Sequence, residues 1–197
     1  MRRTSCTDLR GHCPRCLFRT EVCLCGLTPE VQTRTKIIIV RHVGERRRTS
    51  NTGRLAALAL PNSEIIDYGL EGSFDGSALD GPGAWLLYPD AGRSLEARPP
   101  PARLVVLDAT WRQARRMFRR IDALRAMPKL ALEGFDAVRL RRPTHPCGMS
   151  TLEAIAHALG LLEGPERCEP LLRYHLEAVR RALSLQGRTL ETERPNG

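Results

Sequence analysis

Four consecutive apolar residues, Leu104-Val105-Val106-Leu107, stop abruptly at Asp108. Ala109-Thr110-Trp111 and then the basic run from Arg112 to Arg120 follow at once. A short apolar run of leucine and valine with no polar alternation reads as a parallel strand buried on both faces, and the arginine-rich run reads as a helix. In open α/β sheets, ligands lie beyond the carboxyl ends of the strands. Asp108 stands at such an end, next to the hydroxyl of Thr110 and the indole of Trp111. Two readings of the acid stay open: an N-cap aspartate followed by a core tryptophan, or a functional carboxylate.

The pattern repeats along the chain. Lys36-Ile37-Ile38-Ile39-Val40, Glu64 to Asp67 and Ala84-Trp85-Leu86-Leu87-Tyr88 read as strands, with shorter candidates at Lys129 to Leu132 and Val138 to Leu140. Helices are expected over Arg54 to Leu60, from Trp111 to about Leu124, from Ser150 to about Leu162 and over Pro170 to Leu185. Ser150 with Glu153 three residues on is a capping-box pattern. Between these lie a polar loop from Gly44 to Gly53 and a Gly/Ser/Asp-rich stretch from Glu71 to Pro82 with one helical turn at most. The connector Arg98-Pro99-Pro100-Pro101 is stiff, and Pro143 to Met149 reads as a rigid loop. Strands alternating with helices predict an α/β fold with a largely parallel sheet flanked by helices.

Four of the seven cysteines, Cys13, Cys16, Cys23 and Cys25, crowd into a C-x2-C-x6-C-x-C pattern. No apolar run reaches the roughly 18 residues of a membrane helix, and no apolar signal core follows the basic start. The chain is therefore expected in the cytoplasm, where disulfides are disfavoured and four clustered thiolates suit a closed tetrahedral zinc site. A redox pair or incidental buried cysteines are the competing readings. Cys6 and His12 are reserve ligands, and Cys147 and Cys168 read as ordinary positions. The expected organisation is a zinc-binding segment over 1–26, a catalytic domain over 27–187 and a disordered tail over 188–197.

The formal charge is +9, and only Lys36 and Lys129 among the basic residues are lysines. Arginine pairs with phosphate and stacks on bases, so the excess favours a nucleic-acid partner, although a high-GC genome also raises arginine. The arginines cluster at Arg46-Arg47-Arg48, Arg112 to Arg120 and Arg139 to Arg142, each beside a polar turn. Absence of a Gly-rich G-x-G-x-x-G or P-loop argues against a dinucleotide or a nucleoside triphosphate. Backbone groups at the ends Leu87-Tyr88-Pro89, Leu107-Asp108-Ala109 and Met149-Ser150-Thr151 can instead read an adenine edge and a ribose.

Asp108-Ala109-Thr110-Trp111 resembles the Asp-x-Thr-Trp signature of the DTW-domain family. Further blocks match in order: the cysteine cluster, His42 with Asn51-Thr52-Gly53-Arg54-Leu55, Pro61-Asn62-Ser63-Glu64, Leu87-Tyr88-Pro89 and Ser150-Thr151-Leu152-Glu153-Ala154. The resemblance covers about residues 12–187. It implies a fold related to the SPOUT class, with a C-terminal knot. It also implies a tRNA-uridine 3-(3-amino-3-carboxypropyl)transferase, which moves the amino-acid arm of S-adenosylmethionine to uridine N3 and releases 5′-methylthioadenosine. Under that resemblance Asp108, Thr110 and Trp111 are the catalytic candidates. Asp108 is either the general base for the N3 proton or an orienting group. Leu87, Tyr88, Pro89, Leu107, Asp108, Ala109, Met149, Ser150, Thr151 and Glu153 are expected around S-adenosylmethionine. The target edge pairs in a duplex, so the uridine must be unpaired. His42, Arg46, Arg47, Arg48, Arg54, Arg112, Arg115 and Arg116 are the expected tRNA contacts, with a solvated basic face as the plainer reading. An RNA methyltransferase using the same donor and a non-catalytic zinc-containing RNA-binding module stay open, as does the oligomeric state.

Overall fold

The computed structural model describes residues 9–70, 74–79, 81–89, 100–132 and 149–187. Five strands form one sheet: β1 (Lys36–His42), β2 (Ser63–Tyr68), β3 (Ala84–Leu87), β4 (Arg103–Asp108) and β5 (Lys129–Leu130). Their order is β2-β1-β4-β3-β5, and every pairing is parallel. In register, Arg41 lies opposite Asp67 on one side and opposite Asp108 on the other. The central strands are buried on both faces, which is why their sequences lack polar alternation.

The helices are α1 (Thr52–Ala59), α2 (Trp111–Arg120), α3 (Asp122–Ala126), α4 (Thr151–Glu163) and α5 (Pro165–Ser184). The period-2 rule divides the core. Ile37, Ile39, Leu104, Val106, Trp85 and Leu87 point to one face and pack with Leu55, Ala56, Leu152, Ile155 and Leu171 of α1, α4 and α5. Ile38, Val40, Val105 and Leu86 point to the other face and pack with Met117 of α2 and Leu124 of α3. The chain leaves β1 through α1 toward β2 and leaves β4 through α2 and α3 toward β5, in opposite directions along the sheet. The ends of β1 and β4 therefore flank a topological switch point, where α/β folds open their ligand crevice.

Two helices depart from the sequence reading. The run expected to continue from Trp111 to about Leu124 breaks at Ile121, which takes an extended conformation (φ −103°, ψ 106°) and buries its side chain in the core. The last helix starts at Pro165 rather than Pro170. Gly164, at φ 110°, turns the chain and Pro165 takes the first helical position, where its missing N–H costs nothing. Pro170 lies inside the helix. A Cβ on Gly160 of α4 would come within 2.9 Å of Cys168 Cβ on α5, so the bare α-carbon permits the close packing of these helices. The strand candidate Val138 to Leu140, the arginines 139–142, most of the loop from Pro143, Cys6, Cys147 and the tail 188–197 lie outside the described residues.

Candidate active site and metal centre

Asp108 is the last residue of β4 and is only 3% exposed. Two donors from distant parts of the chain hold it. Asn51 Nδ2 donates to Oδ2 at 2.6 Å, and Thr151 Oγ1 donates to Oδ1 at 2.8 Å. Asn51 is the N-cap of α1, its own Oδ1 accepting from the Arg54 N–H, and Thr151 opens α4 just after its N-cap Ser150. The carboxylate is thus set against the N-terminal turns of two helices, whose exposed N–H groups favour negative charge. Gly53 completes the contact: a Cβ there would lie 2.5 Å from Asp108 Cγ. Nothing larger than glycine fits without moving the helix or the acid.

Asp108 is a strand residue, not a helix cap. Thr110 is the N-cap of α2, in a reciprocal capping box with Gln113. The Thr110 N–H and hydroxyl donate to Gln113 Oε1 at 2.9 and 2.6 Å. Gln113 Nε2 then donates to His42 Nδ1 at 3.1 Å, and the Gly44 N–H reaches the same nitrogen at 3.0 Å. With two donors on Nδ1, the neutral His42 ring carries its proton on Nε2. Burial lowers the pKa of His42, with Arg116 and Arg48 adding repulsion. His42 and Asp108 end neighbouring strands, so the switch point carries a neutral imidazole on the α2 side and a carboxylate on the α1–α4 side.

Trp111 is half-buried and stacks on Tyr88 with ring centroids 5.8 Å apart, and Tyr88 stacks on Phe118 at 4.6 Å. Leu107 and Ala109 are half-buried against the core on the α2–α3 face, Leu87 is buried in the core, and Pro89 is exposed. Met149 is half-buried. Glu153 is 2% exposed and folds back to accept from the Ser150 N–H at 3.2 Å. His175 of α5 meets Ser150 Oγ at 2.9 Å. Burial, and secondarily His157, hold the His175 pKa down at about 4, so it is neutral at physiological pH.

On the other flank Arg41 clasps Asp67 through Nε at 2.7 Å and Nη2 at 3.1 Å, and Arg46 Nε approaches the same acid at 3.7 Å. Arg48 pairs with the buried Glu45 at 3.1 Å. Arg54 donates to the Arg46 carbonyl, and its Nε is buried without an acceptor among the described residues. Arg47, Arg112, Arg115 and Arg116 are exposed.

The second centre is the cysteine cluster. The sulfurs of Cys13, Cys16, Cys23 and Cys25 all lie within 4.8 Å of one another, with Cys13–Cys25 at 3.5 Å and Cys16–Cys23 at 3.8 Å. A tetrahedral zinc with bonds of about 2.3 Å to sulfur has edges of about 3.8 Å, so the donor set fits the ion. The backbone N–H of Cys16 leads in pulling Cys13 down to about 6, whereas burial and the neighbouring thiols push Cys25 up to about 12. A dication shared by the four sulfurs would offset the push on Cys25. His12 bonds to the Arg10 carbonyl and stands outside the group. The cluster is not an isolated appendage: Cys16, Phe18 and Leu24 share the core with Tyr174 of α5, and Arg181 of α5 donates to the Cys23 carbonyl.

The family model of the DTW domain matches residues 10–183, from the cysteine cluster to the last helix. The chain belongs to the DTW-domain family. It is 28% identical over 189 residues to tRNA-uridine aminocarboxypropyltransferase 2 of Mus musculus, covering 87% of this chain and 63% of that protein. Similarity to the protein of the same name from Macaca fascicularis is 27% over 188 residues, covering 86% and 62%. The Drosophila melanogaster protein of that name is 29% identical over 183 residues, covering 83% and 72%. The chain thus spans a little under two thirds of the length of the two mammalian relatives. No solved structure matches it.

The DTW signature is split by its own fold: Asp108 faces α1 and α4, whereas Thr110 and Trp111 belong to α2. Sequence reasoning missed four members of this arrangement. Asn51 and Gly53 sit in a recognised block, but their meeting with Asp108 spans more than fifty residues. Gln113 was findable, because Thr110-x-x-Gln113 is a capping-box spacing. His175 carries no local signal.

Proposed function

We propose that this DTW protein transfers the 3-amino-3-carboxypropyl arm of S-adenosylmethionine to N3 of a uridine in tRNA, giving acp3U and 5′-methylthioadenosine. The observation that carries the reading is Asp108, a buried signature carboxylate at the switch point, clamped by two helix N-termini. The relatives named for this activity support it. The residues around the switch point suit such a donor: half-buried rings at Tyr88, just past β3, and at Trp111, which opens α2, and a buried guanidinium nitrogen at Arg54 of α1 that lacks an acceptor among the described residues.

Bound S-adenosylmethionine supplies a sulfonium: N3 bonds to the γ-carbon of the arm, the carbon–sulfur pair goes to sulfur, and the N3 proton departs. Asp108 takes that proton, and Asn51, Thr151 and Gly53 keep its carboxylate in one orientation. Positioning is the larger demand, because all three carbons on the sulfonium are electrophilic. The ends at Leu87, Tyr88 and Pro89, at Leu107 and Ala109, and at Met149, Ser150, Thr151 and Glu153 enclose the donor. Thr110 holds the start of α2, and Trp111 forms a wall for the donor or the target base. His42, Arg46, Arg47, Arg48, Arg112, Arg115 and Arg116 carry the tRNA. Cys13, Cys16, Cys23 and Cys25 hold one structural zinc, so that segment 1–26 braces the catalytic domain, 27–187.

On this reading the fold is SPOUT-like with a C-terminal knot, and the protein works in the cytoplasm. No helix among the described residues is long and apolar enough to cross a membrane. The test is nucleoside mass spectrometry of tRNA incubated with the protein and S-adenosylmethionine. The expected product is acp3U with stoichiometric 5′-methylthioadenosine. A methylated uridine with S-adenosylhomocysteine would assign a methyltransferase instead, and unmodified tRNA that still binds would leave an RNA-binding module.

A further inference from the structure

We propose that Arg54 is the carboxylate anchor of the donor: its guanidinium, at the first turn of α1 beside Asp108, binds the α-carboxylate of the aminocarboxypropyl arm. The assignment rests on the reading of the site given above. It moves Arg54 from the tRNA track to the donor.

Arg54 is the third residue of α1. Its backbone N–H is caught by Asn51 Oδ1 at 2.8 Å, and its neighbour Gly53 packs directly on Asp108. Its side chain lies within electrostatic reach of Arg41, Asp108, Asp67 and Arg46. Both acids are already engaged. Asp67 is clasped by Arg41 and approached by Arg46, and Asp108 accepts from Asn51 and Thr151. Among the described residues the Arg54 guanidinium makes a single hydrogen bond, to the Arg46 carbonyl, and its buried Nε has no acceptor. Three guanidinium groups against two carboxylates leave an excess positive charge here among the described residues.

A half-buried guanidinium with most of its donors uncommitted is poorly satisfied until an anion reaches it, and a carboxylate matches its planar fork. A phosphate of the RNA backbone is the other candidate anion. Arg47, Arg112, Arg115 and Arg116 are exposed and open to backbone phosphates, whereas Arg54 is half-buried within electrostatic reach of the signature carboxylate. Fixing the carboxylate also fixes the arm, and so determines which carbon of the sulfonium faces the nucleophile. A methyl donor site has no such need.

Calorimetry on the full-length protein separates the possibilities with three probes: S-adenosylmethionine, its decarboxylated analogue and 5′-methylthioadenosine. The wild type should bind S-adenosylmethionine more tightly than the decarboxylated analogue. Arg54→Gln should weaken S-adenosylmethionine by roughly 10- to 100-fold, leave 5′-methylthioadenosine unchanged and abolish the preference for the carboxylate. Arg54→Lys, which keeps the charge without the fork, should fall between. Retained 5′-methylthioadenosine binding shows that the variant is folded. If Arg54→Gln binds S-adenosylmethionine as the wild type does while its tRNA affinity drops, the residue is a phosphate contact and the proposal is overturned. A wild type that binds none of the three probes would overturn the reading of the whole site, and this assignment with it.

Discussion

The cysteine cluster and the Asp108 hub are both convergences of four residues, but they are assembled over different distances. Cys13, Cys16, Cys23 and Cys25 fall within thirteen positions, whereas Asn51, Gly53, Asp108 and Thr151 span a hundred. The first is a local loop whose four sulfurs could share a cation. The second is held by neutral donors and two helix N-termini, and needs no ion to be satisfied. A site built locally depends on its ligand for shape. A site built by the sheet inherits its shape from the fold.

The difference is largest on metal removal. One zinc per chain is expected, and a Cys13→Ser, Cys16→Ser double variant should carry none by elemental analysis. The cluster shares its core with α5, so loss of the metal should cost about 5 kcal/mol or more and spread beyond residue 26. A metal-free variant that keeps the Tm of the parent would mean that the local site does not depend on its ion, and the contrast would fail.

Asp108 tests the other side. Asp108→Ala leaves the Asn51 amide buried without its acceptor and opens a space beside Gly53, costing about 3 kcal/mol in denaturant unfolding. Asp108→Asn is gentler. Its carbonyl can accept from Asn51, and its amide can donate to Thr151, whose hydroxyl rotates from donor to acceptor. Stability should change by no more than about 1 kcal/mol while turnover falls by roughly 10²–10⁴-fold if the carboxylate is the proton acceptor. Unchanged turnover at saturating donor, with weakened donor binding, would make Asp108 a ligand anchor.

Much of this architecture is legible in the sequence, for physical reasons. The apolar runs at Ile37–Val40 and Leu104–Leu107 lack alternation because both faces are covered, and Ser150 with Glu153 marks the start of α4. The break at Ile121 is not legible. An isoleucine there continues the apolar pattern, and its extended backbone follows from burial against the sheet. Pro170 suggests a start because proline breaks helices, yet the effective signal is the Gly164-Pro165 pair. The convergence of Cys13, Cys16, Cys23 and Cys25 follows from spacing alone. Asp108 stands out by position, but its partners could not be named, because neither Asn51 nor Thr151 carries any trace of the strand end that joins them.

His175 probes a support of the hub that is pinned by burial rather than charge. Its folded pKa of about 4 lies below the ordinary value of 6.5, so the unfolded chain binds the proton more readily. Stability is therefore complete above about pH 6.5 and declines as the pH falls toward 4, by an order of 2–3 kcal/mol from this group. Thiol protonation and metal release act in the same direction. The contribution of His175 is the part of the decline that disappears in His175→Gln, measured by denaturant unfolding at pH 7 and pH 4.5. Parallel curves for the two proteins would remove the histidine from the account.

The smallest effect on the fold is expected at α2, and it separates structural from functional arginines. Arg112, Arg115 and Arg116 lie at i, i+3 and i+4 on one exposed face, beginning next to the signature tryptophan. Arg41, by contrast, is buried and committed to Asp67. Changing Arg115 and Arg116 to alanine should leave stability within about 0.5 kcal/mol, as exposed substitutions do. Binding of tRNA should weaken about equally for different tRNAs, because phosphate contacts carry no sequence information. The slope of log affinity against log salt should become shallower by up to about 2, near one unit for each phosphate that is no longer neutralised. Affinity for S-adenosylmethionine should survive, since the donor is assigned to the strand ends and to Arg54. An unchanged salt slope would make this face a solvated one or a set of internal salt-bridge partners, and the RNA track would then lie along Arg46, Arg47 and Arg48, on the flank of the sheet nearest Asp67.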